Sequence, residues 1–475
     1  MKKQMIARGT ILMMLGQASF LLSAFAINFG LARLLGPSDY GTFGLVMSVL
    51  IVIELFVITG IPELVQKFGG EKPENMYLLK HKTLPWQLFY SCLVFVLFWL
   101  ASSRIAQSFG DTALAYFLRI ASIDIVFYGL FKYYQGLQNG LHRFDKHAVL
   151  GICYAGSKVV AIFGLVLSGF SLAGALVGNM LGSIGGLAVG VWVTRIPKAS
   201  GELDPIPYVK FIVPNILYFV GLYLFFCIDL WFVKIYQSDL EVGYYVSAGA
   251  LARIPYVFSI ALSAALLPSL SKATRLRDEK QVRAMVRESL RYMIMFLLLF
   301  SVVVVTTARS LVSTLFGREY VAAAPALAIL IVGLSLITIF AVLNTVLQSR
   351  GRMTLSFVLM AVLVVLDVAA NAVLVPRFGI KGAALATTTV AAVGALLSTV
   401  FVRVDIKALL PSLSTLRMTG IALIVFAISF WSPGLNSLVL LKCAGLSGIY
   451  FLLLWLSGEV NSADFGKLKA VISKA

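Results

Sequence analysis

The amino-acid sequence predicts an all-α polytopic membrane protein of about fourteen transmembrane helices, and three observations lead there. Of 475 residues, 60% belong to the set AVILMFWYC, and only 39 Lys+Arg and 21 Asp+Glu carry charge. Mean hydropathy is +0.94. Apolar runs near the length of a bilayer span recur along the whole chain, with the charges gathered between them. A soluble domain carries roughly a quarter charged residues, against 13% here. The formal excess of +18 predicts no nucleic-acid partner, because its cations punctuate apolar runs instead of forming a basic face with readers between them.

A transmembrane helix needs about 20 mostly apolar residues. Fourteen runs meet that length: 9–32, 40–63, 83–103, 113–138, 145–168, 172–194, 211–233, 242–268, 292–309, 322–347, 353–375, 380–402, 417–432 and 437–456. The last two are short, so counts of twelve and thirteen stay open. Lys2, Lys3 and Arg8 before the first run, with Ala24 and Ala26 flanking Phe25, imitate a cleavable signal peptide. The run continues through Asn28 to Leu35 at full spanning length, which favours an uncleaved first helix.

The Lys/Arg distribution orients these spans. With a cytoplasmic N-terminus, 27 cations fall on inside segments and seven on outside connections (Arg33, Arg104, Lys234, Arg309, Arg318, Arg377 and Lys381), so both termini are expected in the cytoplasm. Five cations lie within apolar runs: Arg119, Lys132, Lys158, Arg253 and Lys442. The segment Lys272 to Arg291, with seven cations and Val282, Met285, Val286 and Leu290 at helical spacing, reads as an interfacial cytoplasmic helix on anionic headgroups. Connections are too short for a soluble catalytic domain, and no GxxxxGK[ST] sequence occurs, which points away from ATP hydrolysis within this chain. Cys92, Cys153, Cys227 and Cys443 lie far apart inside apolar runs, and His142 and His147 read as a solvated loop pair, so no disulfide framework, metal site or cofactor is expected.

Two segment pairs suggest a parallel internal repeat, a usual trace of transporter architecture. FSLAGALVG (170–178) lies over FGIKGAALA (378–386) at an offset of 208, and DYGTF (39–43) over EVGYY (241–245) at 202. The expected organisation is a first bundle over 1–200, a second over 201–410, and the last two spans with the tail over 411–475.

Five segments, ARLLGPSDYGTFGLVMS (32–48), DLEVGYYVSAGAL (239–251), LPSLSKA (267–273), LFGREYVAAAPALAIL (315–330) and LVPRFGIKGAALATT (374–388), resemble the polysaccharide transporter family. These are the O-antigen and lipid-linked oligosaccharide flippases of the multidrug/oligosaccharidyl-lipid/polysaccharide exporter superfamily, and the match runs in order from the first span to about the twelfth. The resemblance implies two six-helix bundles forming a V around a central cavity, with two peripheral C-terminal helices. It also implies movement of an undecaprenyl-type lipid-linked sugar from the cytoplasmic to the outer leaflet of the cell (inner or plasma) membrane, alone or beside a polysaccharide polymerase and chain-length regulator. Gly36 and Pro37 suit a tight outer turn, and Gly41 and Gly382 suit close helix contact.

An ionisable group facing lipid is costly, so those inside spans are expected to face a polar path. On the fourth span, Asp124, Tyr128, Lys132, Gln135 and Asn139 fall within an arc of about 80° and read as a cavity wall. Lys158 and Arg253 are further deep cations, Arg253 two residues before Pro255. Such cations suit a pyrophosphate by charge-assisted hydrogen bonds; the alternative is internal pairing, for example Lys132 with Asp124 or Glu54. Arg33 at the outer mouth fits a gate or a topology residue equally well, and Arg119 on the opposite face is expected to snorkel. Asp367 and Asn371 share one face of the eleventh span, with Thr387 and Asp229 at matching depth, and these four suit a coupling Na⁺ or H⁺ as well as plain hydrogen bonding between helices.

Two other transport readings stay open beside the flippase: a multidrug and toxin cation antiporter, which the mixed lining disfavours, and a lipid-linked peptidoglycan precursor flippase. An integral-membrane glycosyltransferase or ligase needs acids or an Arg/His pair on a large outer loop, and the predicted outer loops are short. No enzymatic activity is expected.

Overall fold

A computed structural model describes residues 2–198, 208–406, 412–431 and 438–460, and among them every regular element is helical. The described chain falls into two compact units that divide between Cys227 and Ile228. This boundary lies later than the one drawn at residue 200 from the repeat, because the helix Tyr208–Phe225 packs against the first two helices of the first unit.

The first unit contains α1 (Lys2–Ile58), α2 (Ile61–Glu71), α3 (Met76–Ser108), α4 (Leu114–Ser122), α5 (Asp124–Gly140), α6 (Phe144–Leu165), α7 (Ser171–Val193) and α8 (Tyr208–Phe225). The second contains α9 (Ile228–Tyr236), α10 (Asp239–Ala252), α11 (Ile254–Arg275), α12 (Glu279–Leu315), α13 (Ala324–Ser349), α14 (Met353–Ile406), α15 (Ser412–Phe430) and α16 (Val439–Leu456). Among the described residues the apolar runs fall on one arm of a helix, a helix, or a pair of abutting helices. Among the described residues nine stretches are long and apolar enough to cross a membrane, and the chain is a multi-pass integral membrane protein.

Backbone chemistry explains where the runs break. α1 turns at Gly36 (φ +74°), followed by Pro37, and α14 turns at Gly379 (φ +58°), three residues after Pro376. α6 and α7 are separated at Gly169 (φ +94°). A left-handed backbone suits glycine, and proline lacks the N–H that would continue the helix. The second span stops at Ile58, short of its expected end at residue 63, because Gly60 leaves helical geometry and Pro62 opens α2. The 211–233 and 242–268 runs are helix pairs, broken at Phe226–Cys227 and at Arg253 ahead of Pro255.

The basic segment Lys272 to Arg291 is not a separate interfacial helix. Lys272 and Arg275 end α11, the chain turns at Arg277 (φ +56°), and Asp278 caps α12 by accepting the Gln281 backbone N–H at 2.9 Å. Val282, Val286 and Leu290 are buried within the protein, which is why that apolar stripe does not face headgroups. At the same end of the unit, Arg350 bridges Glu279 at 2.8 Å and Asp405 at 2.6 Å, tying the end of α13 to the start of α12 and the end of α14. α15 and α16 pack on α12 through a cluster that includes Met418, Val425 and Tyr450.

The repeat has a structural counterpart. A Cβ on Gly174 would lie 2.8 Å from Phe170 Cβ, and one on Gly382 would lie 3.1 Å from Phe378 Cβ and 2.1 Å from the Leu374 carbonyl oxygen. Both glycines follow a sharp turn and let the returning helix press against the one before it.

Candidate functional site

The polar interior of the first unit is built by two antiparallel helix faces. On α5 the face carries Asp124, Tyr128, Lys132 and Gln135, and on α6 it carries Lys158, Tyr154, Gly151 and His147; both follow the three- and four-residue spacing that aligns side chains on a helix. A glycine stripe on α7 lets a third helix close on this pair: a Cβ on Gly182 would lie 2.8 Å from Lys158 Cα, and one on Gly186 would lie 2.7 Å from the Phe131 ring.

Asp124 is 2% exposed, and its Oδ2 accepts a 2.5 Å hydrogen bond from Asn179 of α7. Glu54 of α1 is 3% exposed and is a charge neighbour of Asp124, Lys158 and Lys132. Asp124 Oδ1 and Glu54 Oε1 have no hydrogen-bond partner. The direct partners of the lysines are neutral: Lys158 Nζ donates to the Tyr154 hydroxyl at 3.4 Å, and Lys132 Nζ to Gln135 Oε1 at 3.0 Å. Each also lies over aromatic rings, Lys158 over Tyr154 at 5.5 Å and Lys132 over Tyr128 at 5.4 Å. Two acids and two cations thus share one buried neighbourhood without collapsing into neutral pairs. The Asp124 charge neighbour is Lys158, while Lys132 senses Glu63 and Glu54.

Toward the α5–α6 turn this face opens into a cavity of about 420 Å³. Its walls are the aromatic rings of Phe20, Phe131 and Tyr154, and its polar groups come from Gln17, Lys132, Gln135 and His147. His147 therefore faces a cavity instead of solvent, and its Nδ1 lies 3.3 Å from the Gln135 carbonyl oxygen. Asn139, expected on the same wall, is half-buried one residue before α5 ends and does not line the cavity. Arg33 is exposed three residues before the Gly36 turn, away from the cavity lining. Arg119, exposed on α4, donates to Ser102 and Ser103 of α3 at 3.3 and 2.8 Å.

The second unit holds a smaller, more acidic cluster. Asp229 Oδ1 accepts the Leu230 backbone N–H at 2.7 Å, and its Oδ2 accepts Tyr245 at 2.6 Å and Thr387 at 3.1 Å. Asp367, fully buried, is a charge neighbour of Asp229 and has no partner on either carboxylate oxygen. Asn371 donates to the Asp367 backbone carbonyl at 2.9 Å, leaving its own Oδ1 unpartnered. The four residues placed together from depth alone are thus neighbours. Arg253 is exposed at the α10–α11 break and is a charge neighbour of Asp229.

Sequence reasoning missed Asn179, Tyr154, His147, Gln17 and Tyr245. For Asn179 a signal existed, since it and Thr387 stand 208 positions apart, the offset of the repeat. The tyrosines carried none, because a buried Tyr reads as core until its hydroxyl partner is known.

A solved structure of a lipid II flippase, MurJ, in an inward closed conformation superposes with a TM-score of 0.75 at 15% identity, covering 96% of this chain and 100% of that one. An inward-facing multidrug resistance transporter of the MATE family superposes with a TM-score of 0.68 at 15% identity, covering 83% of this chain and 98% of that one. At these identities the likeness establishes the fold. A probable low-salt glycan biosynthesis flippase, Agl15, of Haloferax volcanii is 23% identical over 376 residues, 77% of each chain. The model of a family described as polysaccharide biosynthesis protein matches residues 30–325, well over half of the chain, and the protein belongs to that family.

Proposed function

We propose that this protein is a flippase for a lipid-linked oligosaccharide, carrying an undecaprenyl-type substrate from the cytoplasmic to the outer leaflet by alternating access. Family membership and the flippase relative support the reaction class. The observation that carries the reading is the α5–α6 face, where Lys132 and Lys158 stand among Glu54 and Asp124 inside an apolar bundle. Lysines at membrane depth are costly and suit an anionic headgroup, whereas an organic cation would be repelled by them. Lys158 lies about 20 Å along α6 from its first residue at ~1.5 Å per residue, near mid-span. In this reading both termini are cytoplasmic, and the prenyl chain stays in lipid while only the charged and sugar portions enter the protein.

The second cluster is the proposed coupling site. Two buried carboxylates, an amide oxygen and a hydroxyl form a hard oxygen donor set, and the unpartnered oxygens of Asp367 and Asn371 are what support a cation or proton there. Arg253, exposed beside it, would respond to the same charge.

The test is transfer of a fluorescent undecaprenyl-pyrophosphoryl oligosaccharide across proteoliposomes under imposed Na⁺ or pH gradients. Wild type is expected to transfer it, Lys158→Ala to lose transfer, and Asp367→Ala to lose its gradient dependence. Exchange of organic cations without movement of the lipid-linked sugar would refute the flippase reading.

A further inference from the structure

We propose that the cavity between α1, α5 and α6 is a subsite for one acidic monosaccharide of the substrate, a pyranose ring bearing a carboxylate, which deepens and rests on the flippase reading. Its size limits the occupant: about 420 Å³ lies at the small end of the roughly 300–1,000 Å³ of small-molecule pockets. A sugar ring with its substituents fits, and a whole repeat unit does not.

The lining chooses among small anions. Phe131 and Tyr154 stack with centroids 4.8 Å apart, and Phe20 stacks on Tyr154 at 6.5 Å, so a column of rings lies along one wall and Phe20, 41% exposed, presents its open face. An aromatic face is electron-rich and complements the C–H face of a pyranose. Opposite polar needs are met by Gln17 and Gln135, whose amides can both donate to and accept from ring hydroxyls. Among the described lining residues Lys132 supplies the one ammonium, and none is a carboxylate. A pyrophosphate would leave the aromatic wall without a complement and place two or more negative charges against a single lysine. A neutral sugar would add no charge beside the only hydrogen-bond acceptor of that lysine among the described residues, the Gln135 amide oxygen, with Glu54 and Glu63 acting on it only as charge neighbours.

Position also fits a sugar and not the diphosphate. Gln135 lies five residues before the end of α5 and His147 three after the start of α6, so at ~1.5 Å per residue both sit within about 8 Å of the turn that the cation distribution places in the cytoplasm. Tyr154 lines the cavity, and its hydroxyl accepts from Lys158, one turn further along α6. The sugar subsite and the deeper charge cluster are thus consecutive along one helix face, with one side chain shared between them.

Saturation-transfer difference NMR on the purified full-length chain tests this with D-glucuronate, D-glucose and inorganic pyrophosphate as probes. Glucuronate is expected to give signal from its ring protons, with glucose at least about tenfold weaker, the order of one hydrogen bond to a charged group. Equimolar pyrophosphate should leave the glucuronate signal in place. Lys132→Gln and Tyr154→Leu should abolish the signal, as should Gln17→Leu at the exposed cavity mouth, where the fold is least disturbed; Lys442→Gln in α16 should keep it. Equal signals from glucose and glucuronate, complete displacement by pyrophosphate, or silence from glucuronate would each overturn the proposal. Transfer of lipid-linked oligosaccharide by the same preparation separates the two claims. Transport without glucuronate signal removes the subsite alone, and a glucuronate signal without transport removes the flippase reading while the cavity assignment stands.

Discussion

The buried polar clusters of the two units have a common plan and a different charge balance. In each, an aspartate accepts a hydrogen bond from a side chain on the unit's glycine-turned last repeat helix: Asn179 to Asp124 in the first, Thr387 to Asp229 in the second. Asn179 and Thr387 are 208 positions apart, as are Gly174 and Gly382. A second ionisable group then stands at nearly equivalent places, Lys158 in the first unit and Asp367 in the second, 209 positions apart. One cluster therefore mixes two acids with two lysines, while the other sets two acids against hydroxyls and an amide. A duplicated scaffold supplies the hole, and the ionisable residues set into it decide what it suits.

The largest expected effect comes from erasing that difference. Lys158→Glu places a third acid beside Glu54 and Asp124, and leaving buried charges uncompensated costs about 3–5 kcal/mol; detergent-phase thermal unfolding should show it as the least stable variant. Tyr245→Phe removes the 2.6 Å donor to Asp229, a loss of about 1.5–3 kcal/mol for a hydrogen bond to a charged group, read in the same assay. Asp367→Asn should move the other way. Removing a buried acid with two unpartnered oxygens should stabilise the protein in sodium-free buffer by about 1–3 kcal/mol, and a decrease there would mean that the site is a structural pair.

The smallest effects concern the repeat itself. Gly382→Ala forces a Cβ onto backbone, with the Leu374 carbonyl oxygen 2.1 Å away, whereas Gly174→Ala meets first the Phe170 Cβ at 2.8 Å. Overpacking costs about 1–3 kcal/mol, with Gly382→Ala at the upper end and Gly174→Ala at the lower. Equal shifts in unfolding temperature would contradict the closer approach in the second unit.

Much of this architecture was legible before any coordinates, for reasons tied to the solvent. A bilayer forces apolar runs of fixed length, so the span positions and the break at Gly36 stand out in the sequence. Ionisable residues inside such runs are rare enough that Asp124, Lys132, Lys158, Asp229 and Asp367 identify themselves. What the runs conceal is continuity and partnership. The basic stretch before Arg291 looked interfacial because its apolar stripe has the right spacing, but the same spacing serves burial in α12. Lys132 and Asp124 share a helix face, yet Asn179 and Lys158 are the neighbours of Asp124 because α6 and α7 arrive from elsewhere. His147 looked solvated near its loop, and it lines a cavity only because α1 crosses there at Gly16, where a Cβ would lie 3.4 Å from Ala148 Cα.

The most direct test of the charge division is sodium binding measured by calorimetry, beside lipid-linked sugar transfer, on two variants, Lys158→Met and Asp367→Asn. Sodium binding that survives in the lysine variant and vanishes in the aspartate variant, with loss of lipid-linked sugar transfer in the lysine variant, is the predicted outcome. Loss of sodium binding in Lys158→Met with retention in Asp367→Asn would place the cation in the first unit and contradict the division.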